Sequence, residues 1–506
     1  MSFPVHRPIP PAVPERSLLL RLLRSFWPIL ALALLLGFAF QGSRGLWEPD
    51  EGRYTQVAME MLRSGDFITP RRHHHHLHPT KPPMTYWAIA AGVSVIGHSE
   101  WAVRAPHALA FALTVGLLFG IGRRLTPALP GLPAAIHATT LLPFLAANLV
   151  TTDTLLTLMT TLGVFGYVGA RWPLSTVHRV WPWVVLMWAG FGLAFVTKGP
   201  PGLLPLLAIL VFDASRAQCR TRQLFDPRGL LVFVLLGLGW YLLVALRNPG
   251  LIGYLLREEV VARVASSEHD RFPQWWGGFY VYAPTLLLGA LPWLPGLASR
   301  WRDGPWTRAR WSALTPEAKL LACWIGLPLL VFLFARSRLP LYLLPLFPAL
   351  ALVLARSWLD QPHRLARRLA WLPATALLLV LVKAGAAQLH NDKDMRAFAA
   401  EIVRVVPFAP GEVVFIDEVP RYGLGFYLGV ETEWIGMAPS ADPRYDQVLS
   451  DEFKESEGQR LYLVRPQRYA AFASTALALG HHAQRFGESH GYVLFGLRRD
   501  ADQRFD

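Results

Sequence analysis

The sequence predicts a polytopic α-helical membrane protein with a small α/β domain at its C-terminal end. Of its 506 residues, 53% are hydrophobic and only 17% are charged, a balance typical of membrane proteins. Apolar runs recur through the first 388 residues, and many approach the roughly 20 residues that a helix needs to cross a bilayer. From 389 to 506 the chain is polar and alternates short strand-like and helix-like segments.

Eleven apolar runs are the predicted transmembrane helices, and the proline-rich runs extend the range to 11–13. They lie at 26–42, 104–122, 132–150, 154–170, 180–196, 200–213, 229–246, 276–298, 318–335, 339–355 and 369–388. The first is longer than a signal-peptide core and lacks a small-residue cleavage site, so we expect a retained helix. Residues 82–97 are too short to span, which favours an interfacial or re-entrant helix.

The arginines of the short loops set the predicted orientation. They cluster after every second span, at Arg123, Arg124, Arg171, Arg179, Arg216, Arg220, Arg222, Arg228, Arg300, Arg302, Arg308, Arg310, Arg356, Arg364, Arg367 and Arg368. The positive-inside rule places these loops in the cytoplasm. An odd number of spans then puts the first polar loop and the C-terminal region on the opposite side.

The C-terminal region has the alternating pattern of a small α/β domain. Strand-like runs occur at Val413–Ile416 and Leu461–Val464, and a helix-like run at Asp394–Val405. We therefore divide the chain into a membrane domain at 1–388, which includes the first outward loop at 43–103 with its interfacial helices, and a soluble domain at 389–506.

The net charge of +14 does not indicate a nucleic-acid partner, because the basic residues fall in short loops and not on one soluble face. The only two cysteines, Cys219 and Cys323, imply no disulfide framework. The histidine run at 73–76, with His78, favours a solvated loop over a metal site, since adjacent imidazoles cannot all face one ion.

The first polar loop carries the strongest functional signal. It contains Asp50-Glu51-Gly52-Arg53-Tyr54 and Lys81-Pro82-Pro83 between long apolar runs. Ionisable groups beside hydrocarbon are costly, so they usually sit in a water-filled cavity or against a charged ligand. An enzyme that acts on a phosphorylated lipid needs both acids and a lysine here.

Several motifs together resemble a known family. They are Asp-Glu-Gly-Arg-Tyr-(x)5-Glu-Met-Leu-(x)2-Gly-Asp at 50–66, Thr-Pro-Arg at 69–71, Lys-Pro-Pro-(x)2-Tyr-Trp at 81–87, Thr152-Asp153, Thr197-Lys198-Gly199-Pro200, Pro292-Trp293 and Ser337-Arg338-Leu339-Pro340-Leu341-Tyr342-(x)2-Pro345. Their order and spacing resemble bacterial GT-C glycosyltransferases, and look most like the lipid A aminoarabinose transferase and its polyprenyl-phosphate-dependent and protein O-mannosyltransferase-like relatives. The resemblance covers most of the membrane region.

The resemblance implies transfer of a sugar from a polyprenyl-phosphate donor to lipid A, another glycan or a protein, at the periplasmic face of the bacterial inner membrane. An inverting transfer needs a carboxylate that takes or orients the acceptor proton, and Asp50 or Glu51 could supply it. The resemblance also makes Arg53, Tyr54, Tyr86 and Arg263 expected substrate-binding residues.

The leaving lipid phosphate needs a cation where it departs. Lys81, Lys198 and Arg338 are candidates, because each lies at a predicted outward membrane boundary. Asp153 could hold one of the lysines in position. Tyr342 could hydrogen-bond the sugar or the phosphate.

Structural roles are the alternatives for these residues. Lys198 and Arg338 could snorkel from helix ends, and Tyr342 could belong to the aromatic belt. Asp153 could be a helix N-cap, with Thr151 and Thr152 as rival caps. Glu51 could simply support its loop. For the whole chain, a secondary transporter or lipid flippase is the alternative function.

The sequence departs from the aminoarabinose transferases at two positions that together suggest a metal. The residue before Lys81 is Thr80, where those enzymes commonly carry an acid, and the loop from Arg257 to Arg263 has no histidine before His269. The sequence therefore predicts no cofactor, leaves a divalent metal open, and does not assign aminoarabinose as the sugar.

Overall fold

The computed structural model describes residues 18–73, 76–78, 80–216, 221–254, 272–297, 307–389, 391–437, 447–448 and 459–499. The chain separates into two compact units. We call residues 1–41, 80–85 and 104–385 the membrane unit, and residues 42–79, 86–103 and 386–506 the α/β unit. The first polar loop thus falls largely with the C-terminal segment. The boundary between the catalytic and the C-terminal domain, at 388–389, stays a prediction.

The membrane unit is built from helices over its described residues. The α-helices are Leu18–Arg24, Phe26–Phe38, Glu100–Leu125, Leu132–Ala138, Leu141–Ala146, Thr152–Arg171, Trp181–Lys198, Leu204–Ala214, Pro227–Phe233, Gly239–Arg247, Leu251–Tyr254, Gly277–Gly289, Arg308–Ala313, Pro316–Phe334, Phe347–Leu359, Pro362–Ala370 and Leu372–Ala386. Four 3₁₀ segments, Pro200–Leu203, Thr221–Phe225, Leu294–Leu297 and Pro340–Leu346, and one π-helical turn, Val234–Leu238, connect or extend them.

Five helical segments of the described chain are long and apolar enough to cross a membrane, and seven qualify if each of two bent pairs is one span. The five are Glu100–Leu125, Trp181–Lys198, Pro227–Arg247, Pro316–Phe334 and Pro340–Leu359. Other predicted spans are divided: the run 132–150, for example, forms two short helices with Thr139 and Thr140 between them. The number of eleven spans therefore stays a prediction, while repeated membrane-length helices are present.

The segment after Lys81 forms a helix, Met84–Ile96, of 13 residues. That length is below the roughly 20 residues of a full span. The next helix begins at Glu100 and continues to Leu125, close to the predicted start near Arg104. The order of a short helix followed by a long span is the one that the sequence predicts.

The α/β unit contains a two-stranded and a six-stranded sheet. The strands are β1 (Arg71–His73), β2 (His76–Leu77), β3 (Glu412–Ile416), β4 (Glu431–Gly436), β5 (Gln447–Val448), β6 (Arg460–Val464), β7 (His481–Ser489) and β8 (Tyr492–Arg499). The larger sheet has the order β5-β4-β3-β6-β8-β7. β3 pairs in parallel with β4 and β6, whereas β8 is antiparallel to both of its neighbours. The predicted strands at 413–416 and 461–464 are both present.

Helices cover this sheet and connect its strands. They are Met395–Val405, Gly423–Leu428 and Pro466–Ala478, and the helix Asp50–Ser64 packs against Gly423–Leu428 and β1. The predicted helix at 394–405 is present, and the Asp394 side chain caps it by accepting from the backbone N–H groups of Arg396 and Ala397. The strand order reverses at β3: β4 and β5 lie on one side of β3, and β6, β8 and β7 lie on the other. The loop after β3 lies at the edge where α/β proteins commonly build sites.

Candidate active site

In the membrane unit, two predicted site residues form an ion pair. Lys198 Nζ lies 2.5 Å from Asp153 Oδ1, and both side chains are close to fully buried, with 12% and 8% exposed. Asp153 is in the first turn of the helix Thr152–Arg171, and Lys198 is the last residue of the helix Trp181–Lys198. Each charge therefore also suits the dipole of its own helix.

The start of the helix Thr152–Arg171 is fixed by its neighbours, which leaves Asp153 available for Lys198. Thr151 is the N-cap, and its hydroxyl accepts from the backbone N–H of Asp153. The carbonyl of Thr151 lies 3.1 Å from Nε2 of the buried His107. Thr154 donates to the carbonyl of Ala146. Of the rival caps that the sequence offered, Thr151 has this role.

Glycines let the two helices approach closely enough for the pair to form. A Cβ on Gly190 would lie 2.3 Å from the backbone nitrogen of Gly163, and one on Gly166 would lie 2.4 Å from that of Met187. Small residues at a membrane helix interface allow this backbone contact. The helix that carries Lys198 ends at Gly199, which has a φ of 68°. Pro200 and Pro201 follow Gly199 in the sequence.

Tyr342 lies beside the ion pair. Its ring centroid is 4.4 Å from Lys198 Nζ, a distance suited to a cation–π interaction. The 3₁₀ segment Pro340–Leu346 carries this ring. Asp153, Lys198 and Tyr342 thus form one cluster, although they are separated widely in sequence.

Arg338 is buried and makes a different set of contacts. Its guanidinium donates to the carbonyls of Phe272, Gln274 and Leu333, the last two at 2.8 and 3.1 Å. These bonds fix the chain around 272–274 to the end of the helix Pro316–Phe334. The geometry gives Arg338 a structural task that the sequence did not predict.

Lys81 stands immediately before Pro82 and Pro83, and its Nζ donates to the carbonyl of Thr80 at 2.9 Å. Thr80 contributes no carboxylate for a divalent ion. No group of three His, Cys, Asp or Glu side chains in the described part of the chain is arranged to hold a metal. A divalent metal therefore stays open, and we derive no step through one.

In the α/β unit, Asp50 opens the helix Asp50–Ser64. Its Oδ1 lies 2.6 Å from a guanidinium nitrogen of Arg53, and the Asp50 side chain is 51% exposed. Arg53 also lies over the ring of Tyr54, at 5.4 Å. The pairing holds a reachable carboxylate in position, which suits general-base chemistry.

Glu51 is placed differently from Asp50. It is buried, and Arg44 donates to both of its oxygens at 2.6 and 2.9 Å. The backbone N–H of Trp47 donates to the same carboxylate. These bonds are the ones that a loop-supporting Glu51 would make, and a catalytic role for this residue stays a prediction.

Glu48 is a buried acid that the sequence interpretation missed. Its Oε1 accepts a 2.5 Å hydrogen bond from the backbone N–H of Gly423. Burial raises the pKa of Glu48 to about 8, more than the nearby Gly423 N–H and the arginines Arg421 and Arg53 lower it. Its position two residues before Asp50, in a loop with three acids, was the available signal.

The remaining predicted residues are placed as follows. The ring centroid of Tyr86 lies 5.7 Å from that of Tyr54 and 6.4 Å from that of His78. Arg263, His269, Cys219 and the histidines at 74 and 75 lie outside the described residues. His107 was also missed by the sequence interpretation, and a histidine inside an apolar run was its signal.

A family model described as dolichyl-phosphate-mannose-protein mannosyltransferase matches residues 80–242. Curated relatives share the sequence over a longer stretch. An undecaprenyl phosphate-α-4-amino-4-deoxy-L-arabinose arabinosyl transferase of Pectobacterium carotovorum is 33% identical over 66% of this chain and 58% of its own length. One of Pseudomonas fluorescens is 31% identical over 65% of this chain and 60% of its own length. The chain thus spans about three fifths of the length of the curated relatives it matches.

The fold has a solved counterpart. The crystal structure of ArnT from Cupriavidus metallidurans bound to undecaprenyl phosphate superposes with a TM-score of 0.74 at 23% identity, covering 92% of this chain and 97% of that one. The apo structure of the same protein gives 0.73. The predicted fold class is therefore confirmed, and the chain is a multi-pass membrane protein. By sequence the chain is similar to the undecaprenyl phosphate-aminoarabinose transferases, and its fold is that of the ArnT structure.

Proposed function

We propose that this chain is an inverting glycosyltransferase that moves a sugar from a polyprenyl-phosphate donor to an envelope acceptor. The observation that carries the proposal is the cluster of Lys198, Asp153 and Tyr342 in the membrane unit. The names of the curated relatives, which specify an undecaprenyl-phosphate-linked sugar and transferase activity, support it. The comparisons give the transporter or flippase alternative no support.

Lys198 is the proposed ligand of the donor phosphate. Its ammonium is a compact charge at the end of a predicted membrane helix, and Asp153 and Tyr342 limit the directions in which it can point. A phosphate that leaves the sugar gains negative charge. A fixed cation therefore stabilises the transition state of the transfer more than the ground state. Lys81 is a second proposed phosphate ligand, and Arg338 supports the chain at 272–274.

Asp50 is the proposed general base. It is the exposed member of the three acids Glu48, Asp50 and Glu51, and Arg53 orients it. In an inverting transfer it takes the proton from the acceptor nucleophile while the bond from the anomeric carbon to the phosphate oxygen breaks. Arg53, Tyr54, Tyr86 and Arg263 are proposed to bind substrate, and Asp153 to position Lys198.

We place the chain in the bacterial inner membrane, with Asp50 and the C-terminal region on the periplasmic side. The arginine-rich loops support this orientation, because basic loops remain in the cytoplasm. The proposed acceptor classes are lipid A, another glycan and protein. We do not assign aminoarabinose as the transferred sugar, because Thr80 stands where the aminoarabinose transferases commonly carry an acid.

Two measurements test this function. The first is mass spectrometry of lipid A, glycans and envelope proteins from cells with and without the gene, where one added sugar mass on one class identifies acceptor and sugar. The second is binding of undecaprenyl phosphate to the purified protein. Loss of one charge-assisted contact, about 1.5–3 kcal/mol, predicts that Lys198→Ala weakens binding roughly 10- to 100-fold.

A matched control is Lys319→Ala. Lys319 lies in the first turns of another membrane helix and donates to the carbonyl of Ser312. Binding to this variant should equal that of the wild type. Equal binding to the Lys198→Ala variant and the wild type would remove Lys198 from the phosphate site, and an unchanged envelope in cells that lack the gene would contradict the transferase.

A further inference from the structure

We propose that Glu48 is a positioning residue that acts in its neutral form, tying the Asp50–Arg53 turn to the loop after β3. The proposal rests on the proposed role of Asp50 as the base. It goes beyond that role, because it makes the C-terminal sheet part of what orders the base, and it gives the enzyme a defined response to pH.

Glu48 is anchored at its backbone and at its side chain. Its backbone N–H donates to the carbonyl of Lys393 at 3.1 Å, and its Oε1 accepts from Gly423, which is 375 residues away in sequence. The side chain is 3% exposed. Two residues of the chain later, Asp50 begins its helix, so this anchor fixes the point from which the helix starts.

Two glycines make room for the carboxyl group. A Cβ on Gly52 would lie 2.0 Å from Glu48 Oε1 and 2.5 Å from the nitrogen of Gly423. A Cβ on Gly423 would lie 3.1 Å from the same Oε1. The carboxyl group is therefore enclosed between the first turn of the Asp50 helix and the start of the helix Gly423–Leu428.

A second contact joins the same two regions. Arg72 of β1 donates to the hydroxyl of Tyr422, at 2.9 Å, and lies 5.7 Å from the centre of its ring. Gln56, on the Asp50 helix, donates to the carbonyl of Arg72. The loop after β3 thus holds the Asp50 helix through both the Glu48 and the Arg72 contacts.

The second oxygen of Glu48 is buried and has no hydrogen-bond partner among the residues that the structure describes. A buried carboxylate without compensation is costly. The charged and titratable groups that face it are Arg421, Arg53 and Asp50, and burial outweighs the two arginines, so that the pKa of Glu48 is raised to about 8. Below that pH the group is mostly a neutral carboxylic acid.

Neutrality of Glu48 has a consequence for Asp50. An ionised Glu48 would compete with Asp50 for the charge of Arg53, which now lies 2.6 Å from Asp50 Oδ1. A neutral Glu48 keeps the hydrogen bond from Gly423 while leaving Arg53 to Asp50. Raising the pH through about 8 should therefore loosen the Arg53–Asp50 pairing.

The first test is the melting temperature of the purified full-length protein between pH 5 and pH 9, and it does not depend on activity. A carboxyl group whose folded pKa is raised binds its proton more tightly in the folded state, so its contribution to stability falls as pH rises from the ordinary value of 4.5 to about 8. Glu48→Gln keeps the acceptor oxygen and cannot ionise. Its melting temperature relative to wild type should therefore rise with pH across that window.

Glu60→Gln is the matched control, because Glu60 is as buried as Glu48, lies on the Asp50 helix and is paired with Arg63. Its ion pair with Arg63 is lost in this variant, so the melting temperature of Glu60→Gln relative to wild type should not rise with pH. Parallel melting curves for Glu48→Gln and wild type would overturn the proposal, whatever reaction the protein catalyses.

The second test uses sugar transfer from the donor found by the envelope analysis. Glu48→Ala, which removes the acceptor for Gly423, should lower kcat at least tenfold with little change in undecaprenyl phosphate binding, and Glu48→Gln should restore most of the loss. The wild-type rate should decline above about pH 8, and that of Glu48→Gln should not. Identical pH profiles, or full kcat in Glu48→Ala, would refute the positioning role. Absence of transfer by the wild type would instead contradict the proposed function.

Discussion

The three acids at the start of the first polar loop differ in what surrounds them. Glu51 receives two bonds from Arg44, Glu48 is enclosed against Gly423, and Asp50 is half exposed beside Arg53. A base has to reach its substrate, so exposure distinguishes Asp50 from its neighbours. The sequence interpretation identified Asp50 and Glu51 but missed Glu48, because the surroundings that distinguish the three acids include contacts distant in the chain, such as that of Glu48 with Gly423.

Replacing Asp50 by Asn should therefore abolish most transfer. The change keeps the shape of the side chain and removes its basicity, so the rate should fall by about two to four orders of magnitude. Asp66→Asn is the control, because Asp66 accepts from the backbone N–H groups of Ile68 and Thr69 and Asn can do the same. Correctly inserted Asp50→Asn protein with normal turnover would exclude Asp50 as the base.

Asp153→Asn tests the membrane-unit pair. It leaves the Lys198 ammonium without its counter-charge, and we expect a loss of about 1–3 kcal/mol in stability, less than for a fully buried pair because Lys198 keeps some exposure. Undecaprenyl phosphate should raise the melting temperature of this variant, since a ligand that binds the folded state stabilises it. At the same ligand concentration it should raise that of Lys198→Ala by less, because binding to that variant is weaker. Equal ligand-induced shifts in the two variants would show that the phosphate binds elsewhere.

At the scale of helices and strands, local pattern was sufficient for much of the prediction. The strands at 413–416 and 461–464 and the helix capped by Asp394 follow from periodicity and a short capping signal. Division of the run 132–150 into two helices was not predicted, because hydropathy does not register where a helix stops inside an apolar stretch. The contact between Asp153 and Lys198 depends on how two helices pack, which periodicity does not fix.

The contact between the helices Thr152–Arg171 and Trp181–Lys198 should be sensitive to substitution of Gly190. An added Cβ would meet the backbone of Gly163 at 2.3 Å, so Gly190→Ala should separate the helices and lower the melting temperature. Gly326→Ala is the matched control in another membrane helix, where nothing lies within 4 Å of an added Cβ. There Ala should be neutral or stabilise by up to about 1 kcal/mol, because it restricts the backbone. A melting temperature unchanged by Gly190→Ala would contradict the close packing.

For the whole molecule, composition predicted the membrane class, and the motifs predicted the similarity to polyprenyl-phosphate-dependent glycosyltransferases. What they did not supply is the grouping of chain segments. Residues 42–79 and 86–103 fall in the same compact unit as the C-terminal segment, although the sequence interpretation placed the loop 43–103 with the membrane domain. Contacts such as that of Glu48 with Gly423 join residues 375 positions apart, and one sequence contains no local signal for such a pair.

Orientation is the whole-molecule property that the arginine pattern predicts most directly. Ser175 and Ser474 are exposed, the first between Arg171 and Arg179 and the second on the helix Pro466–Ala478. In a background with Cys219 and Cys323 replaced by Ala, Ser474→Cys should react with a membrane-impermeant thiol reagent in intact spheroplasts. Ser175→Cys should react only after the membrane is opened, because basic loops remain in the cytoplasm. Labelling of both in opened membranes controls for accessibility, and external labelling of Ser175→Cys would reverse the orientation and place Lys198 and Asp50 away from a periplasmic acceptor.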